Sequence, residues 1–155
     1  MSERALSPVI GCLLLTAITV TGAVIVGAAV AVEPPSPAPA ASFDAEADAD
    51  GTVRLTHRGG AAIDPESLRV RVRVDGEPLA TQPPVPFFSA RGFESGPTGP
   101  FNSATASDWR AGQTASFRIA GTNDPIPYAG ASVEIRLYAD GHEIAELTVI
   151  ARDAG

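Results

Sequence analysis

The chain has 155 residues, a formal net charge of −7, and eleven basic side chains, all of them arginine. That length allows one apolar segment plus one domain of ordinary size, and the acidic balance speaks against a nucleic-acid binder, which needs concentrated basic charge. The single cysteine, Cys12, excludes an internal disulfide, so the domain must be held by its own core. Acid-rich, lysine-free surfaces suit a protein working in high salt, where repulsion is screened and hydrated carboxylates keep it soluble. A high-GC genome gives the same arginine bias.

In chain order, residues 6–32 (LSPVIGCLLLTAITVTGAVIVGAAVAV) carry no charge. A run longer than the roughly 20 residues of a membrane span predicts a long hydrophobic α-helix able to cross a bilayer. Ser7 is placed to cap it, and Pro8 to sit in the first turn, where a missing N–H costs nothing. Ala23, Gly27 and Ala31 recur every fourth residue, the small-residue spacing by which apolar helices pack closely. Cys12 reads as an inert small hydrophobe within this helix. Ala29-Val30-Ala31 has the form of a secretory cleavage site, although the apolar run is too long for an ordinary secretory signal.

Residues 33–41 (EPPSPAPAA) predict a semi-rigid polyproline spacer. From 42 onward the hydrophobic period falls to two. Phe43, Ala45 and Ala47 alternate with Asp44, Glu46 and Asp48. Asp50-Gly51 turns the chain into a second strand over 52–57. Leu68, Val70, Val72 and Val74 alternate with Arg69, Arg71 and Arg73 in the cleanest strand. Asp75-Gly76 turns it toward 77–80. Further strands are predicted over 113–119, 132–138 and 143–150, the last two joined at Asp140-Gly141. Seven short strands with turns between them predict an all-β, immunoglobulin-like sandwich, with a partly open barrel as the other solution.

The chemistry offered by the motifs is sparse. Glu46-x-Asp48-x-Asp50-Gly51 echoes the front of a calcium loop, but His57 stands where the closing glutamate belongs, so the acids read as one wet strand face. His57 and His142 read as surface residues. No metal, cofactor or catalytic motif is present, and no enzyme is expected. The Arg69/Arg71/Arg73 row could pair with acids such as Glu134, grip an anion, or meet the acidic face of a neighbour. Residues 83–110 hold Phe87, Phe88, Phe93, Phe101 and Trp109 among many Gly and Pro, a segment suited to capping the sandwich or to contacts between molecules.

The N-terminal residues Arg4-Ala5-Leu6-Ser7-Pro8-Val9-Ile10-Gly11, followed by an apolar run containing Thr16-Ala17-Ile18-Thr19-Val20, resemble the start of archaeal type IV pilins, above all haloarchaeal ones. The outer part is similar to such pilins at Pro86-Phe87-Phe88, at Gly96-Pro97-Thr98-Gly99-Pro100-Phe101 and at Trp109-Arg110-Ala111-Gly112. The resemblance implies a class III signal peptide: a prepilin peptidase reads Arg4 and Ala5 and cuts before Leu6. Residues 1–5 would be the leader, 6–32 the transmembrane and assembly helix, 33–41 the linker and 42–155 the outer domain. Ser7, Pro8, Gly11, Ala23, Gly27 and Ala31 would belong to the assembly surface. The chain departs from the family pattern in its very short leader, which carries Glu3. It also lacks the acidic residue that bacterial pilins place near the mature N-terminus. The implied function is a structural subunit of a surface filament with a role in adhesion. Its partners would be copies of itself, the membrane before assembly, the peptidase and the assembly machinery. The alternative is a membrane-anchored extracellular β-sandwich binding module that does not polymerise.

Overall fold

The computed structural model describes residues 6–30 and 37–154, with helical side chains placed over 8–21. The chain divides into two units, one holding the helix and the other, from Pro37, holding the strands. Helix α1 is Leu6–Val30. The expectation of an N-terminal long hydrophobic α-helix able to cross a membrane is corrected here. Among the described residues no helix is long and apolar enough to do so. Over 8–21 Gly11, Thr16, Thr19 and Thr21 interrupt the large apolar side chains.

The second unit is a two-sheet β-sandwich. Its strands are β1 Ala41–Ala47, β2 Thr52–Gly60, β3 Leu68–Val74, β4 Glu77–Pro78, β5 Thr114–Arg118, β6 Ser132–Ala139 and β7 His142–Ile150. One antiparallel sheet has the order β1-β2-β5 and the other β4-β3-β6-β7. The alternation sets which face is buried: Leu68, Val70, Val72 and Val74 from β3 meet Val133, Ile135 and Leu137 from β6 in the core. Val53 and Leu55 of β2 and Ala115 and Phe117 of β5 line the opposite wall. Each such aliphatic or aromatic side chain contributes about 1.5–3 kcal/mol by leaving water. Strand β7 is half exposed, with Ile150 at 58 %.

Turn chemistry joins the strands. Asp75 and Asp140 have φ of 51° and 50°, and the glycines after them, Gly76 and Gly141, 83° and 82°. Both central residues are left-handed, the two-residue geometry that matches strand twist. The Asp75 carboxylate also accepts from the Ser132 amide at 2.9 Å and the Tyr128 hydroxyl at 2.8 Å, tying the β3–β4 turn to the start of β6.

The 83–110 segment packs inward. Phe87, Phe93, Phe101 and Trp109 are buried, and only Phe88 of its aromatics is exposed. Bridges Phe93 to Ile119 and Thr98 to Ser116 lay this segment along β5, and Ile63 pairs with Trp109. Strand β4 is two residues long, and although the Leu79 amide just beyond it donates to the Val72 carbonyl at 3.1 Å, the Val72 N–H is left without a strand partner. The Gln82 side chain closes the gap: its Oε1 accepts from the Val72 amide at 2.7 Å and its Nε2 donates to the Val72 carbonyl at 3.0 Å. A side-chain amide thus stands in for a missing strand residue.

His57 is not on the surface, contrary to its expected place. It is fully buried, since it follows Val53 and Leu55 on the inward side of β2. Its Nε2 lies 2.8 Å from the Ala61 carbonyl, which can only accept, so the proton sits on Nε2. Its ring stacks edge-on to Phe43 at 4.9 Å.

Two outcomes follow. Trp109→Ala should cost about 3–5 kcal/mol, read by urea unfolding under circular dichroism, whereas Phe88→Ala should stay within about 0.5 kcal/mol. The Ser132 amide, followed by the Tyr128 hydroxyl, holds the Asp75 carboxyl below its ordinary 3.8. A carboxylate depressed in the folded state adds stability above the unfolded value and loses it as pH falls below that value. Thermal melts between about pH 5 and 3 should therefore fall less steeply with acid for Asp75→Asn than for the parent chain.

Candidate functional site

Two surfaces stand out: the side chains of α1 and the outer face of the four-stranded sheet. On α1, Val9, Ile10, Leu13, Leu14, Leu15, Ile18 and Val20 are all more than half exposed. Leu13, Leu14 and Leu15 are consecutive, and steps of about 100° spread them round the helix, so the apolar surface is not a stripe. The polar groups are turned inward on the backbone. Thr16 Oγ1 donates to the Cys12 carbonyl at 2.8 Å, Thr19 Oγ1 to Leu15 at 3.0 Å and Thr21 Oγ1 to Ala17 at 2.6 Å. Each hydroxyl spends its proton within its own helix, which fits an apolar surrounding.

Of the residues singled out in the sequence, Arg4, Ala5 and Ala31 lie outside the described residues. Leu6, Ser7, Ala23 and Gly27 fall within α1, with side chains outside those described. Pro8 is exposed in the first turn, and Gly11, one turn later, has open space where a side chain would stand.

The outer faces of the two sheets differ in how charge is met. On the three-stranded sheet every acid of the 44–50 run finds an arginine. Asp44 lies 3.1 Å from Arg58, Asp48 2.8 Å from Arg54 and Asp50 3.1 Å from Arg118, while Glu46 is shared by Arg54 and Arg152. The acids read as a calcium-loop echo are therefore neutralised by the protein. Among the described residues no three potential ligands gather to hold a metal.

On the four-stranded sheet, Arg69, Arg71 and Arg73 project together from β3, exposed at alternate positions. Among the described residues none of the three has a carboxylate within 4.0 Å. The expected pairing with Glu134 goes elsewhere: Arg73 lies opposite Glu134 in register, but that carboxylate sits 2.8 Å from Arg136 Nε. Arg136 also reaches Glu146 at 3.4 Å. The Tyr138 hydroxyl, then Glu134 and Glu146, hold the Arg136 guanidinium more firmly protonated than usual. Arg71 stands directly opposite Arg136, a like-charge pair that disfavours the fold. The bulge in the β6–β7 ladder falls on β7, where it leaves Ile144 without a partner, while Tyr138 stands opposite Arg69 in the unbroken β3–β6 ladder, on the outward face that it shares with Glu134 and Arg136. An open cleft of about 550 Å³ lies there, between Arg69, Arg71, Tyr138, Glu66 and Asp140.

The arginine row was visible in the sequence as an alternating pattern. Its lack of partners was not, because that depends on the β3–β6 register. No protein-family model matches the chain, and no curated protein matches it in sequence.

Replacing Arg71 by Thr should give a small rise in thermal midpoint at low ionic strength, vanishing in molar salt, because it removes the repulsion opposite Arg136.

Proposed function

We propose that this chain is a structural subunit of an archaeal type IV pilus-like surface filament, assembled by packing α1 against α1 of other copies. The observation that carries this reading is the apolar surface of α1, exposed around its whole circumference. A helix apolar on all sides is stable only when surrounded, and its threonine hydroxyls are already bonded within the helix. Burying Leu13, Leu14, Leu15 and Ile18 against neighbours would contribute about 1.5–3 kcal/mol each. The Arg4-to-Gly11 run, with its resemblance to pilin N-termini, supplies the processing step: removal of 1–5 ahead of Leu6. The β-sandwich, a separate unit of the chain, would be the part available for adhesion.

In cells making this chain, mass spectrometry of surface filaments should find a subunit starting at Leu6. Leu14→Glu should remove the filaments from electron micrographs while leaving the strand signal of the sandwich intact. A subunit that keeps Met1 and stays monomeric in native extracts would overturn the proposal and favour the non-polymerising binding module.

A further inference from the structure

We propose that the outer face of the β4-β3-β6-β7 sheet is a binding groove for an acidic glycan, with the carboxylate of a sugar acid held by Arg69 and Arg71. The inference does not depend on polymerisation, since every residue involved lies in the sandwich.

Three adjoining depressions meet on this face. The largest, about 550 Å³, lies between Glu66 and Asp140; a second of about 370 Å³ runs toward Pro83 and Pro84; a third of about 210 Å³ runs toward Arg73 and Arg136. Arg71 lines all three, and Arg69 and Tyr138 each line two. The result is an elongated shallow groove, suited to an extended chain of units more than to one compact ion. Successive arginines on one strand face stand about 6.6–6.8 Å apart, so neighbouring units can each present an anionic group.

The side chains select the ligand's chemistry. Arg69 and Arg71 have no carboxylate within 4.0 Å among the described residues, and a planar guanidinium matches a carboxylate in a two-point contact. Arg71 also faces Arg136 across the ladder, so an anion between them would replace repulsion by attraction. A bare oxyanion is poorly served, because Glu66 and Asp140 border the same cleft and would repel it. A ligand that carries hydroxyls beside its carboxylate turns those two acids into acceptors for its O–H groups. Tyr138, half-buried and opposite Arg69 on the outward face of β6, brings an aromatic ring for the C–H side of a sugar and a hydroxyl at its rim. A nucleic acid strand fits less well. It needs a series of aromatic platforms for its bases, and this groove has Tyr138 alone, on a chain of net charge −7.

The test is calorimetric titration of the full-length chain in detergent with an oligogalacturonate of about six units. It should bind, while a neutral gluco-oligosaccharide of equal length should show no heat. Arg69→Ala and Arg71→Ala should each weaken binding about tenfold or more, and Asp140→Asn about threefold, through loss of a hydroxyl acceptor. Arg71→Lys should recover part of the loss, because charge returns without the two-point geometry. These side chains are exposed, and a cooperative circular dichroism melt with a midpoint no lower than the parent's shows that each variant folds. The proposal is overturned if oligogalacturonate does not bind, or if folded Arg69→Ala and Arg71→Ala bind it like the parent. It is equally overturned if inorganic sulfate displaces it at matching concentration, or if a single-stranded oligonucleotide binds more tightly.

Discussion

The sandwich depends on a continuous contact between aromatic rings that begins at Trp109. Its indole lies 4.9 Å from Phe43 and 5.1 Å from Phe101, and Phe101 lies 6.2 Å from Phe117. Phe117 in turn meets Phe93 at 5.7 Å, and Phe93 meets Phe87 at 5.7 Å. The indole N–H donates to the Gln113 carbonyl at 3.0 Å, so the largest buried side chain carries no unmet polar group. This contact is what lets the long 83–110 segment, poor in regular structure, behave as part of the fold. The segment lies along the margin of β5, where a further strand would otherwise stand, and its buried rings fill the core. Asn123 completes the closure, bonding to the backbone of Thr81 and Gly92 and so fastening three loops at one buried point.

With the core fixed by rings and aliphatics, charge is free to serve the surface. On one sheet the arginines and acids interleave and cancel, a pattern worth little in stability for each exposed pair but effective in leaving no bare charge. On the other, β3 carries a guanidinium at every outward position, and β6 sets another opposite the middle one. The chain tolerates that repulsion on a surface where a Thr or Gln would be neutral. Tyr138 and the left-handed turn at Asp140-Gly141 then border a cleft at the end of the same row. The pattern is that of a face arranged for something other than its own stability.

The strands were legible because the period-two alternation of 68–74, 132–138 and 113–119 is clean, and because Asp-Gly pairs mark the hairpins. What escaped the sequence was whatever depends on distant pairing. His57 was misplaced by residue type, although the inward positions Val53 and Leu55 point to it; the alternation was the better guide. Gln82 gave no signal at all, since its role arises only from the shortness of β4. The aromatic segment could be read as packing or as contact surface, and only the bridges to Ile63, Ser116 and Ile119 decide the matter. The length of the apolar N-terminal run, its Leu, Ile and Val and its lack of charge point to a bilayer span. Among the described residues no helix is long and apolar enough to cross a membrane, and the hydroxyls and small residues of 8–21 weigh against that reading.

The amide of Gln82 has a wider effect than closing a gap in β3. A sheet margin with free N–H and C=O groups invites a strand from the next molecule, and crowded domains with such margins fuse into stacks. Here the N–H and C=O of Val72 are already engaged from within the chain, so at that residue a passing strand finds nothing to zip onto. A neighbouring domain that meets this stretch then finds an amide side chain in place of open backbone, and the two stay separate beads there instead of merging into one sheet.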